Sequence, residues 1–282
     1  MNMKATHFFS KGSQFWLLWL AGTLVAIYLI LTWKSGDIAH LGMSILFWLP
    51  VASLLWEKRH RLSLKSGSYS KFLGTLLITL AFFTTTFLTS SHYFRLFPFI
   101  SAVGLALLAS GFKALKQYWK ELLILFFLSV PSVLLSSPLT DISPITAKFS
   151  TFLLWYLGFK VSLQGVHIVF PTGGVEVYSG CSGMEAITYL LGLAVVFLVM
   201  FPTKRSNTIL VPLVAVILGF VVNGARVALM AVLAASSNSK AFNYWHEGDG
   251  SLIFGMIAVL LLGLFCLFLL RQEEPENEDS IE

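Results

Sequence analysis

Residues 178–201 read YSGCSGMEAITYLLGLAVVFLVMF. From Ala186 to Phe201 the stretch carries no charge and reads as a membrane helix. Ser182, followed three residues later by Glu185, has the form of a capping box, which predicts Ser182 as the N-cap. Cys181 is then expected just outside the positive end of a helix, an environment that favours the nucleophilic thiolate. A small buried cysteine beside a loop is the other reading that the local residues permit. Upstream, Val166, Ile168 and Phe170 alternate with other positions, Pro171-Thr172-Gly173-Gly174 follow, and then Val175 and Val177. Period-2 alternation around a Pro/Gly turn predicts a short β-hairpin over 161–178.

The rest of the chain has the character of this helix. Hydrophobic residues make up 56% and charged residues 12%, and the mean hydropathy is +0.80, all outside the range of an ordinary soluble domain. Apolar runs of about bilayer length recur throughout, so the expected fold is an all-α polytopic membrane protein. Eight spans are expected, at 15–33, 41–56, 72–89, 94–111, 120–137, 184–201, 208–235 and 251–270. The first follows Lys4 and Lys11, is long for a signal-peptide core and ends without an A-x-A-like site, so it reads as a retained anchor.

Positive charge orients these runs. The net charge of +5 is spread over short loops, where it reports topology and is no sign of nucleic-acid binding. With the N-terminus cytoplasmic, 13 of the 19 lysines and arginines fall inside, including the five from Lys58 to Lys71 and the pair Lys204–Arg205. Both termini are therefore expected inside. Residues 145–159 are apolar enough to raise the question of a ninth span, but that would move Lys204 and Arg205 outside. They read instead as an interfacial or re-entrant helix on the outer face, flanked by Lys148 and Lys160.

The whole, 1–282, reads as one integral membrane domain: N-terminal helices over 1–119, a core over 120–270 and an acidic tail over 271–282 expected to be disordered. Of the two cysteines, Cys266 lies late in the last apolar run, ~22 Å of helix rise from its start, so a disulfide with Cys181 is not expected. No metal-ligand spacing and no phosphate loop is present, and no cofactor is expected. The histidines at 7, 40, 60, 92 and 167 read as ordinary loop or interface residues.

Two further residues converge on the face expected to hold Cys181. Arg226 lies 18 residues beyond Thr208, ~27 Å along its helix, which brings it near the outer end. An arginine inside an apolar helix marks a functional site by default, with snorkelling to headgroups as the alternative. Asn223, three residues earlier, shares its helical face and favours the inward-facing reading. His246 lies in the next outer loop, 242–250, just before the last span. A cysteine and a histidine can form a nucleophile–base pair. A guanidinium, or main-chain N–H groups at the start of 184–201, could stabilise a tetrahedral oxyanion.

The Cys-Ser-Gly at 181–183, the Asn-x-x-Arg at 223–226 and His246 before the last span together resemble the exosortases. The Pro-Thr-Gly-Gly-Val-Glu-Val-Tyr lead-in is most similar to the cyanobacterial branch, the cyanoexosortases, and to type A over type B. The resemblance implies a multi-pass enzyme of the plasma membrane, active at the extracytoplasmic face, that processes exported proteins. These partners carry a C-terminal Pro-Glu-Pro sorting signal, a membrane helix and a basic tail. It implies Cys181 as nucleophile, Arg226 as transition-state stabiliser and His246 as general acid/base. Asn223, Ser182, Gly183 and Glu185 would be supporting. No metal, cofactor or nucleic acid is implied, and lipid is the surrounding partner. The hairpin would offer an edge for strand addition, or a lid. Glu274-Pro275-Glu276 is not read as such a signal, because it follows its helix. Two other functions remain open from the residues: a transporter or assembly factor with Arg226 in a polar path, and a Cys-dependent membrane acyltransferase.

Overall fold

The computed structural model describes residues 5–87, 94–134, 141–246 and 249–273. Six helical segments among them are long and apolar enough to cross a membrane: Phe15–Lys34, Ile38–Lys58, Phe97–Ser129, Ser179–Met200, Asn207–Ala235 and Gly250–Gln272. Ser68–Phe83 is a shorter apolar helix. The chain is thus a mostly helical, multi-pass membrane protein, and its contacts divide it into two compact units, 1–134 and 135–282.

In the first unit, α1 (Ala5–Lys34), α2 (Ile38–Lys58), α3 (Ser68–Phe87), α4 (Phe97–Ala114) and α5 (Trp119–Leu134) pack together. The segment Phe97–Ser129 is not a straight rod. Gly111 leaves helical geometry at φ 70° and ψ 177°, and a 3-10 turn, Leu115–Tyr118, follows. The rings of Phe99 and Phe126 lie 5.7 Å apart, whereas a straight helix would separate these positions by ~40 Å. The chain therefore doubles back, and Ser110 Oγ meets Tyr118 OH at 2.8 Å across the bend. Small residues bring α3 and α4 close: a Cβ on Gly74 would lie 2.6 Å from the Gly104 carbonyl oxygen. His40, expected to be an ordinary loop or interface residue, is instead fully buried in α2, with Nε2 2.7 Å from Tyr28 OH. Asp37 caps α2 through the His40 N–H and pairs with Arg95 at 2.6 Å. Buried polar groups in such a helix need partners of this kind.

In the second unit α6 (Ser143–Tyr156) leads into three strands, β1 (Ser162–Gln164), β2 (His167–Phe170) and β3 (Gly173–Glu176). They form an antiparallel meander in the order β1-β2-β3, with Leu163 opposite Ile168 and His167 opposite Glu176. The expected single hairpin accounts for β2 and β3. The additional strand β1 is exposed at all three residues, and its Ser-Leu-Gln is too short for alternation to be read as a strand. Ile168, Phe170 and Val177 turn inward onto Val227, Ala228 and Ala231, and this core contains Cys181.

Beyond the sheet come α7 (Met184–Met200), α8 (Asn207–Ala235), α9 (Ser239–His246) and α10 (Asp249–Glu273). Residues 242–246, expected to be loop, belong to the short helix α9. Asn238 starts it by accepting the Ala241 N–H at its side chain and the Phe242 N–H at its carbonyl. Helices α7, α8 and α10 bury Leu190, Ala194, Ala215, Leu262 and Cys266 together. Neither cysteine is in a disulfide, and the two lie in separate clusters. The last residues of the expected spans 72–89 and 120–137, together with His92, lie outside the described residues, as does the tail beyond Glu273.

Candidate active site

Cys181 ends a 3-10 turn, Ser179–Cys181, placed directly before α7. Its N–H bonds the Tyr178 carbonyl at 2.8 Å, and the Ser182 N–H bonds the Ser179 carbonyl at 3.2 Å. The turn must then swing into the helix, and the residue that swings it is Gly183, at φ 93° and ψ 1°. Gly183 is the N-cap of α7, which corrects the expectation that Ser182 would be. A side chain there would be strained by the left-handed backbone. Its Cβ would also lie 2.6 Å from Asn223 Nδ2. Ser182 sits one residue earlier, donating from Oγ to the Ser179 carbonyl at 2.7 Å and meeting the Met184 N–H at 3.4 Å. Glu185 accepts from Tyr189 OH at 3.2 Å.

Two neighbouring helices hold this turn by its main chain. Asn223 of α8 donates from Nδ2 to the Cys181 carbonyl at 3.0 Å, with both groups buried. Thr146 of α6 donates from Oγ1 to the Ser182 carbonyl at 2.6 Å. Buried carbonyls left without donors would each cost about 1–3 kcal/mol, so these side chains fix where the sulfur stands.

The sulfur faces α9. Cys181 Sγ is 3.4 Å from His246 Nε2, close enough for a thiol–imidazole hydrogen bond and a proton transfer. His246 is the last residue of α9, and its ring stacks on Phe242 at a centroid distance of 5.2 Å and 25° between planes. Arg226 reaches the end of the same helix: Nη2 donates to the His246 carbonyl at 2.6 Å and Nε to the Trp245 carbonyl at 3.4 Å. The guanidinium thus serves the last carbonyls of α9, which have no N–H partner within the helix. Cys181, Asn223, Arg226 and His246, chosen from the sequence, are brought together in one cluster of contacts.

The sequence reading missed Tyr178. Its OH lies 3.3 Å from His246 Nε2, the nitrogen that also faces the thiol. The only signal for it was its position three residues before the cysteine, where the expected hairpin ends. Thr146 was missed as well, because nothing local marks a threonine in an apolar helix as a support for a residue 36 positions away.

Cys181 is 6% exposed and lines a pocket of about 520 Å³ together with Tyr178 and His246. One wall is β3 and the residues after it, Gly174 to Tyr178; the other is Val227, Met230 and Ala234 of α8 with Phe242 of α9. The walls are largely apolar, with Tyr178, Cys181 and His246 meeting in the lining and Glu176, Ser237 and Ser239 as its other polar side chains.

The family description Transmembrane exosortase (Exosortase_EpsH) matches residues 33–263. The chain belongs to the transmembrane exosortase family. Members are membrane-embedded, sortase-like protein-processing enzymes, and this exosortase carries the thiol–imidazole contact within the matched segment. No curated protein and no solved structure matches the exosortase chain closely enough to count as a relative.

Proposed function

We propose that this exosortase is a cysteine-dependent peptidase/transpeptidase that cleaves exported proteins bearing a C-terminal Pro-Glu-Pro signal, a membrane helix and a basic tail. The observation that carries the reading is the 3.4 Å approach of Cys181 Sγ to His246 Nε2 in the lining of a pocket. His246 Nε2 takes the thiol proton, and the sulfur attacks the scissile carbonyl carbon to form a C–S bond and an oxyanion. The oxyanion collapses as the C–N bond breaks, and the Nε2 proton passes to the leaving amine. A thioester remains on Cys181. Water or an incoming amine, deprotonated by His246, resolves it and returns the thiol.

Cys181 and Ser182 spend their own N–H groups within the 3-10 turn and the Met184 N–H meets Ser182 Oγ, so the oxyanion is assigned to the following N–H groups in the first turn of α7. Arg226, expected as transition-state stabiliser, is assigned a positioning role by its contacts: it holds the end of α9 and with it the imidazole. Asn223, Thr146 and Gly183 hold the cysteine turn.

In this reading the chain sits in the plasma membrane with eight spans and both termini cytoplasmic, and α6 lies at the outer interface. Cys181 is extracytoplasmic and 120–270 is the catalytic core. The positive-charge distribution supports the orientation, and the lead-in at 171–178 supports the cyanobacterial branch.

The test is a reporter, an exported protein ending in Pro-Glu-Pro, an apolar helix and a basic tail, co-expressed with the exosortase. Wild type is expected to shorten the reporter, and Cys181→Ala and Cys181→Ser to leave it intact at unchanged membrane levels. Shortening by both variants would exclude covalent catalysis here. Acid-trapped wild-type enzyme is expected to carry the mass of the reporter's upstream fragment on Cys181; a lipid acyl mass would assign an acyltransferase instead.

A further inference from the structure

The strand that leads to Cys181 has an open side. In an antiparallel ladder the main-chain groups of a strand face its neighbour at every second residue. The bond from the Val177 N–H to the Val166 carbonyl, 3.0 Å, sets which residues these are. With Val175 opposite Ile168 and Gly173 opposite Phe170, the groups of Gly173, Val175 and Val177 face β2. Gly174 and Glu176 therefore turn their N–H and C=O away from the sheet. Among the described residues nothing bonds these main-chain groups, and both residues are exposed.

This side borders the pocket. Gly174 and Glu176 line it opposite Val227, Met230 and Ala234, and the wall continues through Tyr178 to Cys181. From 174 to 178 an extended chain spans ~13 Å, enough to pair with four or five residues of a second strand. Gly174 lets β3 lie close on β2, since a Cβ there would come 2.3 Å from the Ile168 carbonyl oxygen, and the apolar wall offers contacts to every second side chain of whatever lies in the groove.

The geometry points to β3 as the docking edge for the polypeptide processed at Cys181. The polypeptide lies extended as a fourth strand, bonds the main chain of Gly174 and Glu176, and carries its reactive carbonyl along the edge to Sγ. This rests on the reading of Cys181 as the nucleophile. It also gives the proposed signal a physical reason. In Pro-Glu-Pro the two prolines fall on the same side of a strand, and neither has an N–H. With that side outward, the central glutamate still offers N–H and C=O to β3, and the outer edge of the added strand is closed to further pairing.

The experiment uses the full-length enzyme and the same reporter. Glu176→Pro deletes the outward N–H and leaves the ladder to β2 intact, whereas Glu176→Ala removes only the side chain. Glu176→Pro is expected to lower kcat/KM at least tenfold more than Glu176→Ala, mainly through KM, while iodoacetamide labels Cys181 at the same rate in both. Equal processing by the two variants would overturn the docking edge. Should the proline also slow labelling, cross-linking decides. Glu176→Cys in a Cys181→Ala, Cys266→Ser background is expected to form disulfides with reporter cysteines at every second position, and absent or non-alternating cross-links would overturn the edge. Processing retained by Cys181→Ala would instead remove the nucleophile reading and leave the cross-linking result to stand alone.

Discussion

Cys181 Sγ and His246 Nε2 lie 3.4 Å apart although 65 residues separate them, and the helix that carries the histidine is only eight residues long. Its position rests on Asn238 at its start and Arg226 at its end. Removing the imidazole should therefore remove proton transfer while leaving the helix in place. His246→Gln is expected to lower the reporter cleavage rate by about 10²–10⁴-fold at unchanged protein level. Single-turnover kinetics in membranes would measure it, and a loss smaller than threefold would count against the imidazole as acid/base.

The guanidinium of Arg226 serves two successive carbonyls from one rigid fork. A lysine ammonium keeps the charge but not the planar fork. Arg226→Lys should then behave much like Arg226→Ala, with both slowing cleavage by about tenfold or more, equivalent to ~1.4 kcal/mol. Rates for the two variants side by side test this; wild-type activity in the lysine variant would show that charge alone suffices.

Tyr178 OH and the thiol share one ring nitrogen, at 3.3 and 3.4 Å. Whether that nitrogen accepts or donates, the phenol takes part of its hydrogen-bonding capacity. Tyr178→Phe leaves the nitrogen to the sulfur, so iodoacetamide is expected to alkylate Cys181 faster. A neutral hydrogen bond contributes about 0.5–1.5 kcal/mol net, which sets the increase at ~2–10-fold. Slower alkylation would show instead that the phenol supports the thiolate.

Gly183 is both left-handed and within reach of Asn223. Gly183→Ala is expected to cost about 1–2 kcal/mol from the backbone alone. It should also loosen the bond from Asn223 to the Cys181 carbonyl. Thermal unfolding in detergent should show a lower midpoint for Gly183→Ala, and Gly183→Ala with Asn223→Ala should lose less than the sum of the two single variants, because the singles disturb one contact.

Much of the molecule can be read along the chain because a membrane makes single residues informative. Apolar runs have to be helices, and Arg226 in such a run needs a reason, so it and Asn223 stand out before any coordinates are known. Helix α9 was hidden because eight residues, all but Ala241 polar or aromatic, beside Gly248 and Gly250 look like loop, and what makes them helical is an asparagine cap and a docking surface on α8. The cap of α7 was misplaced by one residue because Ser182 and Glu185 fit a capping pattern, whereas Gly183 is needed to turn the chain out of the 3-10 turn. Tyr178 and Thr146 could not be read, since their partners are 68 and 36 residues away.

The brevity of α9 has a consequence of its own. Each residue advances a helix by ~100°, so one residue inserted between Ser239 and His246 would rotate the ring by more than a quarter turn. The same insertion would slide both carbonyls off the guanidinium. Substitutions on the solvent side of those two turns should be absorbed easily, but a change in their number should not. Spacing, counted from Asn238, is what this segment has to preserve.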